Sequence, residues 1–90
     1  MIPAAREERL RRRLMAHFSP IELAIEDESR RHAGHAGAAG GGGHFRIRIV
    51  AEAFRGVSPL ARHRLVYSAL ADMLNGEIHA LAIEALPPAD

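Results

Sequence analysis

The sequence predicts a small α+β domain in which helices cover one face of a three-stranded sheet. Two segments alternate apolar and polar residues with the period of a strand, and a third apolar segment lies near the carboxyl end. Other segments repeat apolar residues with the period of a helix. The order is helix, strand, strand, one or two helices, strand, for which a two-layer packing is the usual solution. We therefore expect the second face of the sheet to be at least partly open.

Residues 5–18 are predicted to form the first helix. Leu10, Leu14 and Phe18 recur every four residues and give one apolar stripe, while arginines fill the remaining faces, where we expect solvent. The helix should end at Ser19, because a residue that precedes a proline is disfavoured in the helical conformation.

Residues 21–28 and 44–51 are predicted to be strands that pair antiparallel. Glutamates on one strand and arginines on the other, placed opposite each other, would favour this pairing modestly. The glycine-rich loop between them, about residues 32–43, is longer than a hairpin needs and is expected to be flexible.

A turn and a helix start are predicted within FRGVSPL, residues 54–60. Gly56 permits the turn, Ser58 is a favourable N-cap, and Pro59 suits the first helical position. The helix is predicted to run through Asn75, although a break that divides it into a short and a long helix also fits the pattern.

Residues 78–85 predict the third strand, and the tail, residues 86–90, is expected to be disordered. Ninety residues form one domain, 1–90, with one modest core.

The absence of cysteine excludes disulfides and thiolate chemistry by this chain alone, and no catalytic constellation can be placed, so an enzyme is not indicated. No apolar run spans a membrane, so we expect a cytoplasmic protein, and a monomer when isolated.

Four histidines are candidate ligands, since neutral imidazole binds zinc and iron readily. His32, His35 and His44 surround the glycine-rich loop, and His79 lies in the last strand, where alternation groups it with Leu81 and Ile83. On the residues alone, each loop histidine is better interpreted as an exposed polar residue, and His79 as a half-buried residue hydrogen-bonded to backbone. A zinc site built by the three loop histidines remains open, although no pair shows a recognised ligand spacing.

Motifs spread over nearly the whole chain closely resemble the BolA family. In chain order they are Asp27-Glu28-Ser29, His32-Ala33-Gly34-His35, His44-Phe45, Phe54-x-Gly56, Arg62-His63-Arg64-Leu65-Val66-Tyr67 and Ile78-His79-Ala80-Leu81. The resemblance implies a fold similar to class II KH domains, with the order αββααβ.

The resemblance also implies a function. BolA-like proteins partner monothiol glutaredoxins, with glutathione, and share a [2Fe–2S] cluster in iron–sulfur trafficking or iron regulation. Matched residue by residue, the ligands would be His79 and, as first choice, His32, with His35 and His44 less favoured. Two imidazoles are too few for a closed site, so the partner would supply thiolates, and the isolated chain should hold no cofactor stably.

A second function implied by the resemblance is that of a DNA-binding regulator of morphology and stress response. The GXXG string at residues 37–40 lies between two strands, where it cannot clamp a backbone as in KH domains. A helix–turn–helix-like element remains, and its binding should be weak at physiological salt because the net charge is only +1. The residues expected to contact glutaredoxin or DNA are Arg55, Gly56, Arg62, His63, Arg64 and Tyr67.

Overall fold

The structure, a computed structural model, describes residues 3–28 and 43–89 of the chain. Its elements are α1 (Pro3–Phe18), β1 (Glu22–Asp27), β2 (Gly43–Val50), a 3-10 turn (Glu52–Phe54), α2 (Pro59–Ala69) and β3 (Ile78–Leu86). The small α+β class is confirmed. The predicted order αββααβ is wrong in one element, since a single 3-10 turn stands in place of one helix.

The 3-10 turn is short because both of its flanks are fixed. Ala51 is fully buried and donates its N–H to the Leu86 carbonyl at 3.0 Å, while Gly56 turns the chain at a φ of 74°. The few residues between these points allow one tight turn, which places Phe54 in the core.

Helix α1 follows the predicted stripe. Leu10 and Leu14 are fully buried, and Phe18 packs against Phe54 with ring centroids 5.1 Å apart. The helix ends at Phe18, because the φ of 44° at the next residue, Ser19, takes the backbone out of the right-handed helical region. The expectation that the arginines are simply solvated holds only in part, because two of them form ion pairs with Asp72 and Glu77, as argued below.

The sheet has the order β1-β2-β3, with β1 and β2 antiparallel, as predicted, and β2 and β3 parallel. Glu26 faces Arg46 across the first pair. The inner face supplies the centre of the core, through Phe45, Ile47 and Ile49. The outer face carries a shallow groove lined by Ala24, Arg46, Arg48, Ala82 and Glu84, among others, which confirms that this face is open.

Helix α2 begins as predicted, with the Ser58 hydroxyl accepting the Ala61 N–H at 3.2 Å. Its predicted end at Asn75 is wrong, because the helix stops at Ala69 and turns follow. A helix continued to Asn75 would carry the chain about 9 Å farther along its axis, with two residues left before β3. The turns instead bury Met73 and let its carbonyl accept the Ile78 N–H at 3.1 Å.

Leu86, where the sequence analysis began the disordered tail, is the last residue of β3, and the described chain continues to Ala89. The loop predicted at about residues 32–43 lies outside the described residues, except for Gly43.

Candidate functional site

The amino-terminal end of β2 is held tightly against α1 and the segment before β3. A Cβ atom on Gly43 would lie 2.4 Å from the Phe45 Cε2 atom and 3.1 Å from the Arg6 Nη1 atom. The Gly43 N–H donates to the Glu77 carbonyl at 3.0 Å. The backbone is therefore fixed at the first residue of β2, immediately before His44.

A β-bulge occurs at His79. In the parallel pairing, Gly43 aligns with Ile78 and His44 with Ala80, so His79 is an extra residue of β3. Ile78 and Leu81 both pack in or against the core, and His79 between them is exposed. The predicted grouping of His79 with Leu81 and Ile83 is wrong, because the bulge resets the alternation.

His44 is buried and adjoins His79. Alternation along β2 puts His44 on the outer face, opposite Phe45, yet only 8% of it is exposed. Its carbonyl accepts the Glu28 N–H at 2.7 Å. The imidazole centroids of His44 and His79 are 5.1 Å apart, with a 46° angle between the rings.

The structure thus brings together two of the four predicted ligand candidates, His44 and His79. His32 and His35 lie outside the described residues, as does the GXXG string. His44 was a less favoured candidate than His32 on the sequence, and its contact with His79 was not predicted. That contact depends on the parallel register of β2 and β3 and on the bulge, and neither is visible in periodicity.

A closed metal site is not present in residues 3–28 and 43–89, since no three His, Asp or Glu side chains gather there. Two imidazoles can nonetheless be part of a shared site, because imidazole is an established ligand of [2Fe–2S] clusters and of zinc. The donor set therefore fits a cluster whose remaining ligands come from another molecule.

The residues predicted to contact a partner or DNA lie around α2. Arg55 bonds the Glu52 carboxylate at 2.6 Å, which lowers the pKa of that carboxyl, and also bonds the Pro88 carbonyl. Gly56 forms the turn before α2. The His63 ring contacts the Tyr67 ring, with centroids 4.6 Å apart, one helical turn away.

Arg62 and Tyr67 make structural contacts with β3. Arg62 donates to the carbonyls of Val57, at 2.7 Å, and Ala85, at 3.2 Å, and the Tyr67 hydroxyl donates to the Leu81 carbonyl at 3.3 Å. Arg64 is exposed and makes no ion pair or hydrogen bond within the described ranges. Of the three arginines of this region, Arg64 is therefore the best placed to meet a partner.

The family described as BolA-like protein matches residues 14–90. The chain belongs to the BolA family. SufE-like protein 1 of Arabidopsis thaliana, chloroplastic/mitochondrial, is 46% identical over 91% of this chain but only 24% of its own length. Human BolA-like protein 1 is 47% identical over 92% of this chain and 58% of its own. The chain thus spans 24% of the length of the first of these relatives and 58% of the second.

Two further BolA proteins bear on fold and function. The DNA-binding transcriptional regulator BolA of Escherichia coli K12 is 42% identical over 84% of this chain and 70% of its own length. The solved BolA domain of SufE1 from Arabidopsis thaliana has a TM-score of 0.81, with 44% identity over 93% of each chain. Fold and motifs therefore agree along the length that the comparisons cover. Within the described residues, no helix is both long and apolar enough to cross a membrane.

Proposed function

We propose that this BolA-like protein is a non-enzymatic, cytoplasmic adaptor that docks on a monothiol glutaredoxin and shares a [2Fe–2S] cluster with it. The proposed ligands from this chain are His79 and a loop histidine, with His32 the first choice. The observation that carries the proposal is the bulge at His79, which exposes an imidazole beside the end of β2 that leads to the glycine-rich loop.

The chemistry of the donor set supports sharing over autonomous binding. With no cysteine in the chain, any thiolates around the cluster must come from glutaredoxin and glutathione. Histidine in place of thiolate raises the reduction potential of a [2Fe–2S] centre. The role of this chain would be to present His79 from a fixed strand and so alter the potential and the lability of a cargo cluster.

The docking surface in this proposal comprises the first two strands and the segment from Arg62 to Tyr67. His63, Arg64 and Leu65 are the exposed members of that segment. Arg62 and Tyr67 would hold the segment in place through the backbone of β3.

An anaerobic titration followed by visible circular dichroism tests the proposal. A monothiol glutaredoxin that carries its cluster with glutathione is mixed with the wild-type chain, and a new spectrum should saturate near equimolar ratio. His79→Ala should abolish that spectrum, and the matched control His17→Ala, an exposed histidine near the end of α1 and outside the proposed docking surface, should retain it. A wild-type spectrum from His79→Ala would refute the assignment of His79.

The second ligand is identified by the same titration. His32→Ala, His35→Ala and His44→Ala are compared, and the variant that loses the heteromeric spectrum names the ligand. Wild-type spectra from all three would exclude a ligand from the loop or from the start of β2.

DNA binding is the second candidate, favoured by the similarity to the Escherichia coli protein, which is named as a DNA-binding transcriptional regulator. Against strong binding, Arg55 and Arg62 are engaged within the chain. The test is retention of a DNA duplex in a gel as salt is raised, with Arg64→Ala as the variant. Retention at moderate salt, combined with an unchanged dichroism spectrum in the glutaredoxin titration, would favour the regulator function.

A further inference from the structure

The spacing of His44 and His79 matches that of two imidazoles on one metal ion. With metal–nitrogen bonds of about 2.0–2.1 Å and a tetrahedral angle, the centroids of two bound rings lie about 5.2 Å apart. The observed separation is 5.1 Å. The two rings are therefore close enough for one ion to bind between them when a nitrogen of each ring faces it.

The backbones on both sides of the pair are already ordered. His44 follows the tightly packed Gly43 and is bonded through its carbonyl to Glu28. His79 follows Ile78, which is 3% exposed and bonded to the Met73 carbonyl. Two ligands on fixed strands lose less conformational entropy on binding than two ligands on a loop.

The surroundings of His44 also suit metal binding. Its Nε2 atom is buried, so this nitrogen has already lost most of its contact with water. The neighbouring Glu28 carboxylate is held by Arg46 at 3.3 Å. Among the described residues, the ligands in this site would be the two imidazoles, and water would complete the coordination of the ion.

We propose that His44 and His79 form a two-histidine site for a divalent first-row transition metal in the isolated chain. Imidazole ligands suit Cu²⁺, Ni²⁺ and Zn²⁺, and the general affinity order places Cu²⁺ first. With two protein ligands the ion remains exchangeable. The proposal does not rest on glutaredoxin or on a cluster, although an ion in this site would occupy the imidazole of His79.

Titration of the full 90-residue apo chain with Cu²⁺, followed by electron paramagnetic resonance, tests this site. The spectrum should show two equivalent nitrogen donors. His79→Ala should weaken Cu²⁺ binding by about tenfold or more, because the chelate is lost. His63→Ala, whose ring contacts Tyr67 on α2, should bind as the wild type does.

The double variant His32→Ala/His35→Ala separates this site from one that uses the loop. It leaves β2 and β3 untouched, so the two-nitrogen spectrum and the affinity should persist; their loss would overturn the proposal.

His44→Ala should weaken binding as much as His79→Ala does, and unchanged binding in a folded His44→Ala protein would also overturn it. If His44→Ala does not fold, the double variant and His79→Ala still decide. A negative result in the glutaredoxin titration would refute the shared cluster but would not change the Cu²⁺ binding expected of the isolated chain. The two proposals can therefore be refuted independently.

Discussion

Gly43, the first residue of β2, lies against the Arg6 side chain of α1 and is bonded to the backbone before β3. It has no room for a methyl group, because the nearest atom to an added Cβ would be the Phe45 ring at 2.4 Å. We expect Gly43→Ala to destabilise the protein by about 1–3 kcal/mol, the usual cost of overpacking a core. Urea unfolding measures this cost.

The contact with Phe45 can be isolated by a double-mutant cycle. Phe45→Leu removes the ring atoms that the new methyl group would strike, so the double variant should be more stable than the sum of the single changes predicts. Additive effects would mean that the clash with Phe45 is not the cause. If Gly43→Ala is as stable as the wild type, the start of β2 and the Phe45 ring can shift to accommodate the added methyl group.

At the scale of elements, α2 protects the free edge of β3. The Leu86 carbonyl accepts the Ala51 N–H next to β2. Since carbonyls alternate in direction along a strand, those of Leu81 and Ala85 are directed to the opposite edge. Tyr67 and Arg62 donate hydrogen bonds to these two carbonyls. The two carbonyls are then not available to pair with a strand of another chain.

This edge contact predicts different roles for two neighbouring arginines. Arg62→Ala should cost about 1.5–3 kcal/mol of stability and Tyr67→Phe about 0.5–1.5 kcal/mol, as expected for charged and neutral hydrogen bonds. Arg64→Ala, on the same helix but exposed, should change stability by less than about 0.5 kcal/mol. Thermal or urea unfolding of the three variants makes the comparison. Equal stability of Arg62→Ala and Arg64→Ala would show that Arg62 is available to a partner instead.

Element positions were predictable where the signal is local. Residues near one another in sequence determine three of the features that were predicted. These are the apolar stripe of Leu10 and Leu14, the alternation in β1 and β2, and the start of α2 at Ser58-Pro59. The end of α2 and the single 3-10 turn were not predictable, because the distance to β3 and the bond from Ala51 to Leu86 decide them. Such contacts join residues far apart in sequence.

The candidate site was predictable only in part for the same reason. His79 was identified through its motif, Ile78-His79-Ala80-Leu81. Its exposure comes from a bulge that interrupts a regular apolar pattern, and its contact with His44 comes from the parallel register. Periodicity reports which face a residue occupies in a regular strand, so it cannot report an extra residue in the ladder.

At the scale of the whole molecule, the charges of the described surface are interspersed. Arg48 lies between Glu22 and Glu84 on the outer face of the sheet, with Arg48 Nε 3.0 Å from the Glu84 carboxylate. With a net charge of +1, this arrangement gives little long-range attraction for a polyanion. Recognition of a partner by this chain is therefore expected to depend on short-range contacts.

Arg9 and Arg13 connect α1 to the segment that follows α2, through ion pairs with Glu77 and Asp72. The hydrogen bond from Arg13 holds the pKa of the Asp72 carboxyl below its ordinary value of 3.8. A carboxyl with a lowered folded-state pKa contributes stability above its unfolded pKa, and that stability is lost as the pH falls through the folded value. The pair therefore favours the folded state at neutral pH and ceases to do so in acid.

Asp72→Asn tests this connection between α1 and the segment after α2. The variant should lose less stability than the wild type when the pH is lowered from 6 to below the ordinary carboxyl value of 3.8, because its side chain does not titrate. Urea unfolding at a series of pH values measures the difference, which should shrink in about 1 M salt, since exposed ion pairs are screened. Equal acid sensitivity of variant and wild type would show that this pair does not couple α1 to the turns after α2, and that the buried contacts of Leu10 and Leu14 hold α1 in place without it.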